Sequence, residues 1–200
     1  MISRRGFLRG AGAAACVVAL GGGAAWARQD CELLRPPGGQ DEDAFFSACI
    51  RCDRCRSICP QRCIETAVVE DGLTQVRTPK LNFHAGHCDF CAGANAGAPL
   101  CREVCPTGAL RAFDPLVHRI GVAVVDTQRC IAWGSGSCNA CFDSCDFGAL
   151  VIDASQRPTV NAQACNGCGA CVEACNVNVY TAYSGTDARA IEVQRLKGDR

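Results

Sequence analysis

CIRCDRCRSICP, residues 49–60, sets three cysteines two residues apart and a fourth three residues further on, and closes on a proline. A C-x2-C-x2-C loop places three thiolates around one small inorganic core, and its tight turns aim backbone N–H groups at the sulfides of that core. The fourth cysteine lies past the turn, faces away and ligates the core of a partner motif. Pro60 stops the turn. The pattern therefore demands a partner elsewhere in the chain.

Working outward, three more runs of four cysteines appear. Motif one holds Cys49, Cys52, Cys55 and Cys59. Motif two, CDFCAGANAGAPLCREVCP, holds Cys88, Cys91, Cys101 and Cys105, with its middle gap stretched to nine Gly- and Ala-rich residues. Motif three, CIAWGSGSCNACFDSC, holds Cys130, Cys138, Cys141 and Cys145, with seven residues after the first cysteine. Motif four, CNGCGACVEACN, holds Cys165, Cys168, Cys171 and Cys175. Pro106 follows motif two, whereas Asp146 and Asn176 follow motifs three and four, which weakens the turn constraint and removes no ligand. The four groups are an internal repeat. Four such groups point to cubane iron–sulfur clusters far more strongly than one C-x2-C pair does.

The flanks repeat too. Val125-Asp126 leads into Cys130 and Val160-Asn161 into Cys165, and Gly-Ala-Leu follows motifs two and three at 108–110 and 148–150. GVAVVD (121–126), PTV (158–160) and ALVID read as short strands. Asp71-Gly72, between AVVE and LTQV, reads as a hairpin turn. DEDAFFSA, at the end of an irregular arm over residues 28–48, reads as a short helix. The expected fold is α+β: tandem ferredoxin-like repeats of the bacterial two-cluster kind, loop-rich, with short strands and helices around four [4Fe-4S] cubanes. The domain it predicts covers residues 49–200.

The totals agree. A chain of 200 residues with 19 cysteines and few aromatics is held by what its sulfurs bind more than by a large apolar core. Twenty basic residues balance twenty acidic ones, which gives no case for nucleic acid as a partner. The N-terminus reads MISRRGFLRGAGAAACVVALGGGAAWARQD. Ser3-Arg4-Arg5-Gly6-Phe7-Leu8 is a twin-arginine sequence, a weakly apolar run follows, and Ala25-Trp26-Ala27 fits a small-x-small cleavage site. Residues 1–27 are thus read as an export signal of the twin-arginine route, with the protein expected at the periplasmic or extracytoplasmic face of the membrane. A retained anchor is the alternative, although the run is short for a spanning helix. Cys16 lacks a lipoprotein-type leucine three residues before it and is read as apolar filler. Cleavage would remove Arg4, Arg5 and Arg9 and leave 17 basic and 20 acidic residues, a net charge of −3, with 18 cysteines.

Two other chemistries use many cysteines. A disulfide scaffold satisfies parity, but a twin-arginine signal carries proteins already folded, and cysteines two residues apart pair with strain. Zinc sites use separated cysteine hooks rather than C-x2-C-x2-C-x3-C runs. Cys31 and Cys63 lie outside the motifs: Cys63 is read as a small hydrophobe and Cys31 as a free thiol. His84, His87 and His118 are read as surface residues or neighbours of ligands, with His87 beside Cys88 the one of interest. Trp133 is read as a water shield for the third site. No phosphate loop, nucleotide fingerprint, catalytic triad or open metal site is present, so the chain reads as an electron carrier and not an enzyme.

These residues carry a resemblance. The twin-arginine signal, LRPPGGQDEDAFFSACIRC, CREVCPTGAL and the C-x7-C-x2-C-x3-C form of motif three together resemble the NapG/MauM family of ferredoxin-type proteins. The resemblance implies that the long gap is the family's own way of building its third site, with Cys130 a ligand. It also implies an exported electron carrier working with a membrane-bound quinol-oxidising ferredoxin-type protein and a periplasmic reductase, of the nitrate reductase type, or its cytochrome. A maturation or assembly factor, or a carrier for another periplasmic enzyme such as methylamine dehydrogenase, is the alternative. The gap between Cys91 and Cys101, Cys63 at an aliphatic position and the short C-terminal tail depart from the family pattern. By analogy with four-cluster subunits of membrane oxidoreductases, motif one shares ligands with four, and two with three. Cluster one then takes Cys49, Cys52, Cys55 and Cys175, and cluster four takes Cys165, Cys168, Cys171 and Cys59. Cluster two takes Cys88, Cys91, Cys101 and Cys145, and cluster three takes Cys130, Cys138, Cys141 and Cys105. Pairing one with two and three with four is the other possibility.

Overall fold

The computed structural model describes residues 33–177, 179 and 187–196. The expected export signal, Cys16 and Cys31 lie outside these residues. The chain divides into two compact units. Of the first, only the loop Ala67–Arg77 is described; the second comprises Leu33–Thr66 and Thr78 onward and carries all four motifs.

Short elements punctuate the cysteine loops. Helix α1 (Glu42–Ala48) begins where Asp41 Oδ1 accepts a hydrogen bond from the Ala44 N–H at 3.0 Å, with Glu42 and Asp43 in the favourable first turn. Its inward residue is Phe45, and it ends as Cys49 turns extended. Helix α2 (Arg54–Ile58) and strand β1 (Ile64–Thr66) complete motif one and its exit. Strand β2 (Pro79–Leu81) pairs antiparallel with β1, Ile64 facing Leu81. Motif two carries α3 (Ala92–Asn95) and α4 (Leu100–Glu103).

The second half follows a fuller version of the same order. Strand β3 (Val122–Val125) enters motif three, which carries α5 (Ile131–Ser135) and α6 (Ala140–Asp143). Strands β4 (Leu150–Ile152) and β5 (Pro158–Val160) form the inner hairpin. Asp153 Oδ1 closes its turn by accepting from the N–H groups of Ser155 and Arg157. Motif four with α7 (Ala170–Glu173) then leads to β6 (Ile191–Gln194), which pairs back on β3. Ile191 and Val193 point inward and Glu192 and Gln194 outward, the period of a half-buried strand. Each half is thus a hairpin flanked by two cysteine loops. Among the described residues, no helix is long and apolar enough to cross a membrane.

The strands expected at 121–126, 149–153 and 158–160 and the helix expected at 41–48 are present, the first two strands a residue shorter at each end. The hairpin expected at Asp71-Gly72 is not. AVVE and LTQV are not strands; a 3-10 turn covers Val69–Asp71 instead. Asp71 Oδ2 accepts the Val68 N–H at 2.8 Å, so a side chain takes the donor that a ladder would have used. The pairing strands lie further out, at 64–66 and 79–81.

The arm is more than a leader. Leu81 N–H donates to the Leu34 carbonyl at 2.8 Å, and Arg111 N–H to the Gly38 carbonyl at 2.9 Å, so residues 34–38 run beside both β2 and the exit from motif two. Gly38 has φ +90°, and a Cβ there would meet the Arg111 carbonyl oxygen. Arg35 is 2 % exposed. Its guanidinium grips both carboxylate oxygens of Glu42 (3.0 and 3.2 Å), Thr78 Oγ1 and the Pro79 carbonyl (2.8 Å each), and lies 4.8 Å from the Phe45 ring centre. Arg195 also reaches Glu42 and donates to the Gln40 carbonyl, tying the C-terminal strand to the arm. Removing one partner of a buried, multiply bonded ion pair costs about 3 kcal/mol or more. Arg35→Ala is therefore expected to lower the unfolding free energy of the anaerobic protein by that amount and its denaturant midpoint with it, and an unchanged midpoint would show the arm to be ornamental.

Candidate iron–sulfur sites

Backbone geometry builds the loops. In motif one the positive-φ residues are Arg51 and Asp53, two and four places after Cys49; in motif four they are Gly167 and Gly169, two and four places after Cys165. The same turns thus wrap both C-x2-C-x2-C loops, with glycine in one and strained L residues in the other. In motif two Phe90 and Cys91 take this role. Past the fourth cysteine the pattern repeats: Arg62, Gly108 and Gly148 all have positive φ, three residues after Cys59, Cys105 and Cys145.

Three cavities show which cysteines meet. One, with about 330 Å³ of space free of protein atoms, is lined by Cys88, Cys91 and Cys101 of motif two together with Cys59 of motif one. A second, about 360 Å³, joins Cys165, Cys168 and Cys171 of motif four to Cys145 of motif three. A third, also about 360 Å³, joins Cys130, Cys138 and Cys141 of motif three to Cys175 of motif four. Near the remaining loop, Cys49, Cys52 and Cys55, helix α4, which precedes Cys105, packs on α2. Helices α6 and α7 pack in the same way in the second half.

These groupings correct the pairing expected from analogy. In the three cavities it is neighbouring motifs, one with two and three with four, that bring their cysteines together, which is the other possibility the sequence left open. The reason is the hairpin between them. β1–β2 and β4–β5 each fold one motif back antiparallel on the next, so each fourth cysteine points into its neighbour's loop. Cys130 lines its cavity despite the seven-residue gap, which is filled by α5.

The donor chemistry fits a polynuclear thiolate-bound core. All seventeen described cysteines are free thiols. Burial pushes the Cys55 thiol up to about 12 and the Cys141 and Cys168 thiols up to about 11, with neighbouring cysteines adding to the effect. Cys101 and Cys171 are raised by burial too. Such packed thiols lose their protons when a positive core compensates the charge. Much of the remaining wall is apolar, with Leu150, Val160 and Val193 in one case and Ile131, Val177 and Ile191 in another. Backbone N–H groups already aim at sulfur: Ala123 at Cys165 (3.4 Å), Ala149 at Cys145 and Ala190 at Cys175 (3.3 Å each).

Neighbouring sites touch in a definite order. Cys88 N–H donates to the Cys168 carbonyl at 2.8 Å, joining motif two to motif four. At the same junction His87 bonds Glu173, the Phe90 and Phe147 rings meet edge to face at 5.9 Å, and a Cβ on Gly169 would enter the Phe83 ring. The row therefore runs motif one, two, four, three.

The histidines line none of these cavities. His84 bonds Asp187 and Glu192, and His118 Nδ1 accepts from the Asp114 N–H. Trp133 does not line its cavity either. Its indole N–H donates to the Pro158 carbonyl at 3.2 Å and its ring lies under Arg157, so it straps α5 to β5, and Ile131 does the shielding. Cys63 packs in the apolar core as a small hydrophobe should, but its place in the motif-two cavity was not foreseen. It is completely buried, lines the motif-two cavity, and its Sγ is 3.7 Å from that of Cys59. That contact holds the Cys59 thiol down at about 6, while Cys63 is pushed up by its hydrogen bonds to Cys59 and Cys88. The repeat carried the signal: Cys63 stands where Ala109 and Ala149 stand after motifs two and three.

A fold of paired cysteine loops on short hairpins, with thiol-lined apolar cavities, defines a ferredoxin-type iron–sulfur protein. Residues 158–181 match the model of the 4Fe-4S binding domain. The chain is 35 % identical over 192 residues to the ferredoxin-type protein NapG of Escherichia coli (strain K12), covering 86 % of this chain and 80 % of that one. It is 34 % identical over 158 residues to the ferredoxin-type protein NapF of the same strain, covering 74 % and 84 %. It is 30 % identical over 160 residues to the methylamine utilization ferredoxin-type protein MauM of Methylorubrum extorquens, covering 74 % and 70 %. The chain belongs to this NapG, NapF and MauM family of ferredoxin-type proteins.

Proposed function

We propose that the protein carries four [4Fe-4S] clusters, one per motif, and relays electrons outside the cytoplasm from a membrane quinol-oxidising partner towards a periplasmic reductase of the nitrate reductase type. The observation that carries this reading is the grouping of three cysteines from one motif with the fourth of its neighbour in each of three cavities. The ligand sets are Cys49, Cys52, Cys55 and Cys105; Cys88, Cys91, Cys101 and Cys59; Cys165, Cys168, Cys171 and Cys145; and Cys130, Cys138, Cys141 and Cys175. The first of these rests on the internal repeat and the packing of α4 on α2. Each cluster, when bound, takes up and releases one electron. The protein fixes the spacing through α2 on α4, α6 on α7 and the Cys88–Cys168 bridge, and tunes each site through N–H groups on sulfur and an apolar wall that keeps water out.

The twin-arginine pair at Arg4-Arg5 supports export of a folded, loaded protein. The names of the Nap relatives support the nitrate system, and that of MauM supports methylamine utilisation as the second pathway. Membranes bearing a quinol-oxidising ferredoxin-type partner are expected to bleach the visible iron–sulfur absorbance of the purified protein when quinol is added, and periplasmic nitrate reductase with nitrate is expected to restore it. Tight binding to an immature apo-reductase without reversible bleaching would favour an assembly factor instead.

A further inference from the structure

Five cysteines line the motif-two cavity, where four suffice: Cys59, Cys63, Cys88, Cys91 and Cys101. The corresponding cavity in the second half has four, because Ala149 occupies the place of Cys63. Cys63 is not there for want of a hydrophobe, since alanine fills the same place twice. It is wholly buried, it begins the exit into β1, and Asn82 N–H donates to its carbonyl at 2.8 Å, so its backbone is fixed. Its sulfur is 3.7 Å from that of Cys59 and also contacts Cys88. A change of χ1 rotamer swings a cysteine sulfur by about 3 Å, most of this distance, without moving the chain.

We propose that Cys63 is a reserve ligand for the Cys59 position, able to hold the same iron when Cys59 is lost or displaced. This rests on the cluster reading above. In the exchange one iron–thiolate bond, to Cys59, breaks and one, to Cys63, forms. The Cys63 thiol gives up its proton, the departing Cys59 sulfur takes one up, and no electron moves. While Cys59 is in place, Cys63 donates its S–H to the Cys59 sulfur. That hydrogen bond favours the more negative, reduced site and raises its potential.

The test uses the full chain, purified anaerobically, with iron and acid-labile sulfide counted per chain. Cys59→Ala is expected to match the wild type, whereas Cys145→Ala and the double variant Cys59→Ala/Cys63→Ala each lose about four irons, one cubane. An equal loss in Cys59→Ala and Cys145→Ala overturns the proposal. Iron-free wild-type protein would overturn the cluster reading with it, so the two failures are distinct. An EPR-monitored redox titration of Cys63→Ala is the second measurement. One midpoint potential is expected to fall and the others to stay, and a titration identical to wild type overturns the S–H contact and the proposal.

Discussion

Cys175→Ala is expected to lose about four of about sixteen irons, and the reduced EPR signals it loses are those that Cys141→Ala loses, not those lost in Cys52→Ala. Cys175 ends motif four in sequence but lines the cavity of motif three, where it meets Cys130, Cys138 and Cys141 and receives the Ala190 N–H on its sulfur. The charge that Cys141 feels comes from Cys130, Cys138 and Cys175 together. A single-motif reading instead makes Cys175→Ala resemble Cys168→Ala, and the analogy with oxidoreductase subunits makes it resemble Cys52→Ala. Three difference spectra decide among the three groupings.

Cys168→Ala is expected to keep about three quarters of the iron and yet lose almost all electron throughput from quinol to reductase. Its cavity is interior to the row one, two, four, three. Cys168 is also the bridge itself, its carbonyl accepting the Cys88 N–H. An alanine keeps that carbonyl, so the backbone contact survives while the ligand goes. Cys52→Ala, at one end of the row, removes as much iron. Throughput in the Cys168 variant that falls only in proportion to its iron would mean that the motifs work in parallel rather than in series.

Much of this was legible in the sequence. The sixteen motif cysteines, the strands VAVV, LVI and PTV and the helix behind Asp41 are local patterns, and local patterns survive folding. The sharing of ligands was not legible by analogy, because it depends on where the hairpins fall. Consecutive motifs joined by a hairpin meet each other first. The turn at Asp71-Gly72 misled because a side-chain acceptor displaced the ladder. The arm was unreadable for another reason: Arg35 finds Thr78 and Pro79 more than forty residues away. Cys63 was visible only through the repeat, as the odd residue at a position where alanine recurs. Trp133 looked like a shield because it lies inside motif three, yet its indole is spent on the Pro158 carbonyl.

The central claim is one cubane per motif in an electron-carrying row. Iron and acid-labile sulfide per chain on the anaerobically purified protein, with EPR before and after reduction, test it most directly. The account expects about sixteen irons with as many sulfides, and interacting signals on reduction. Near-zero iron in protein that is still folded would contradict it and leave the paired cysteine loops as a purely structural scaffold.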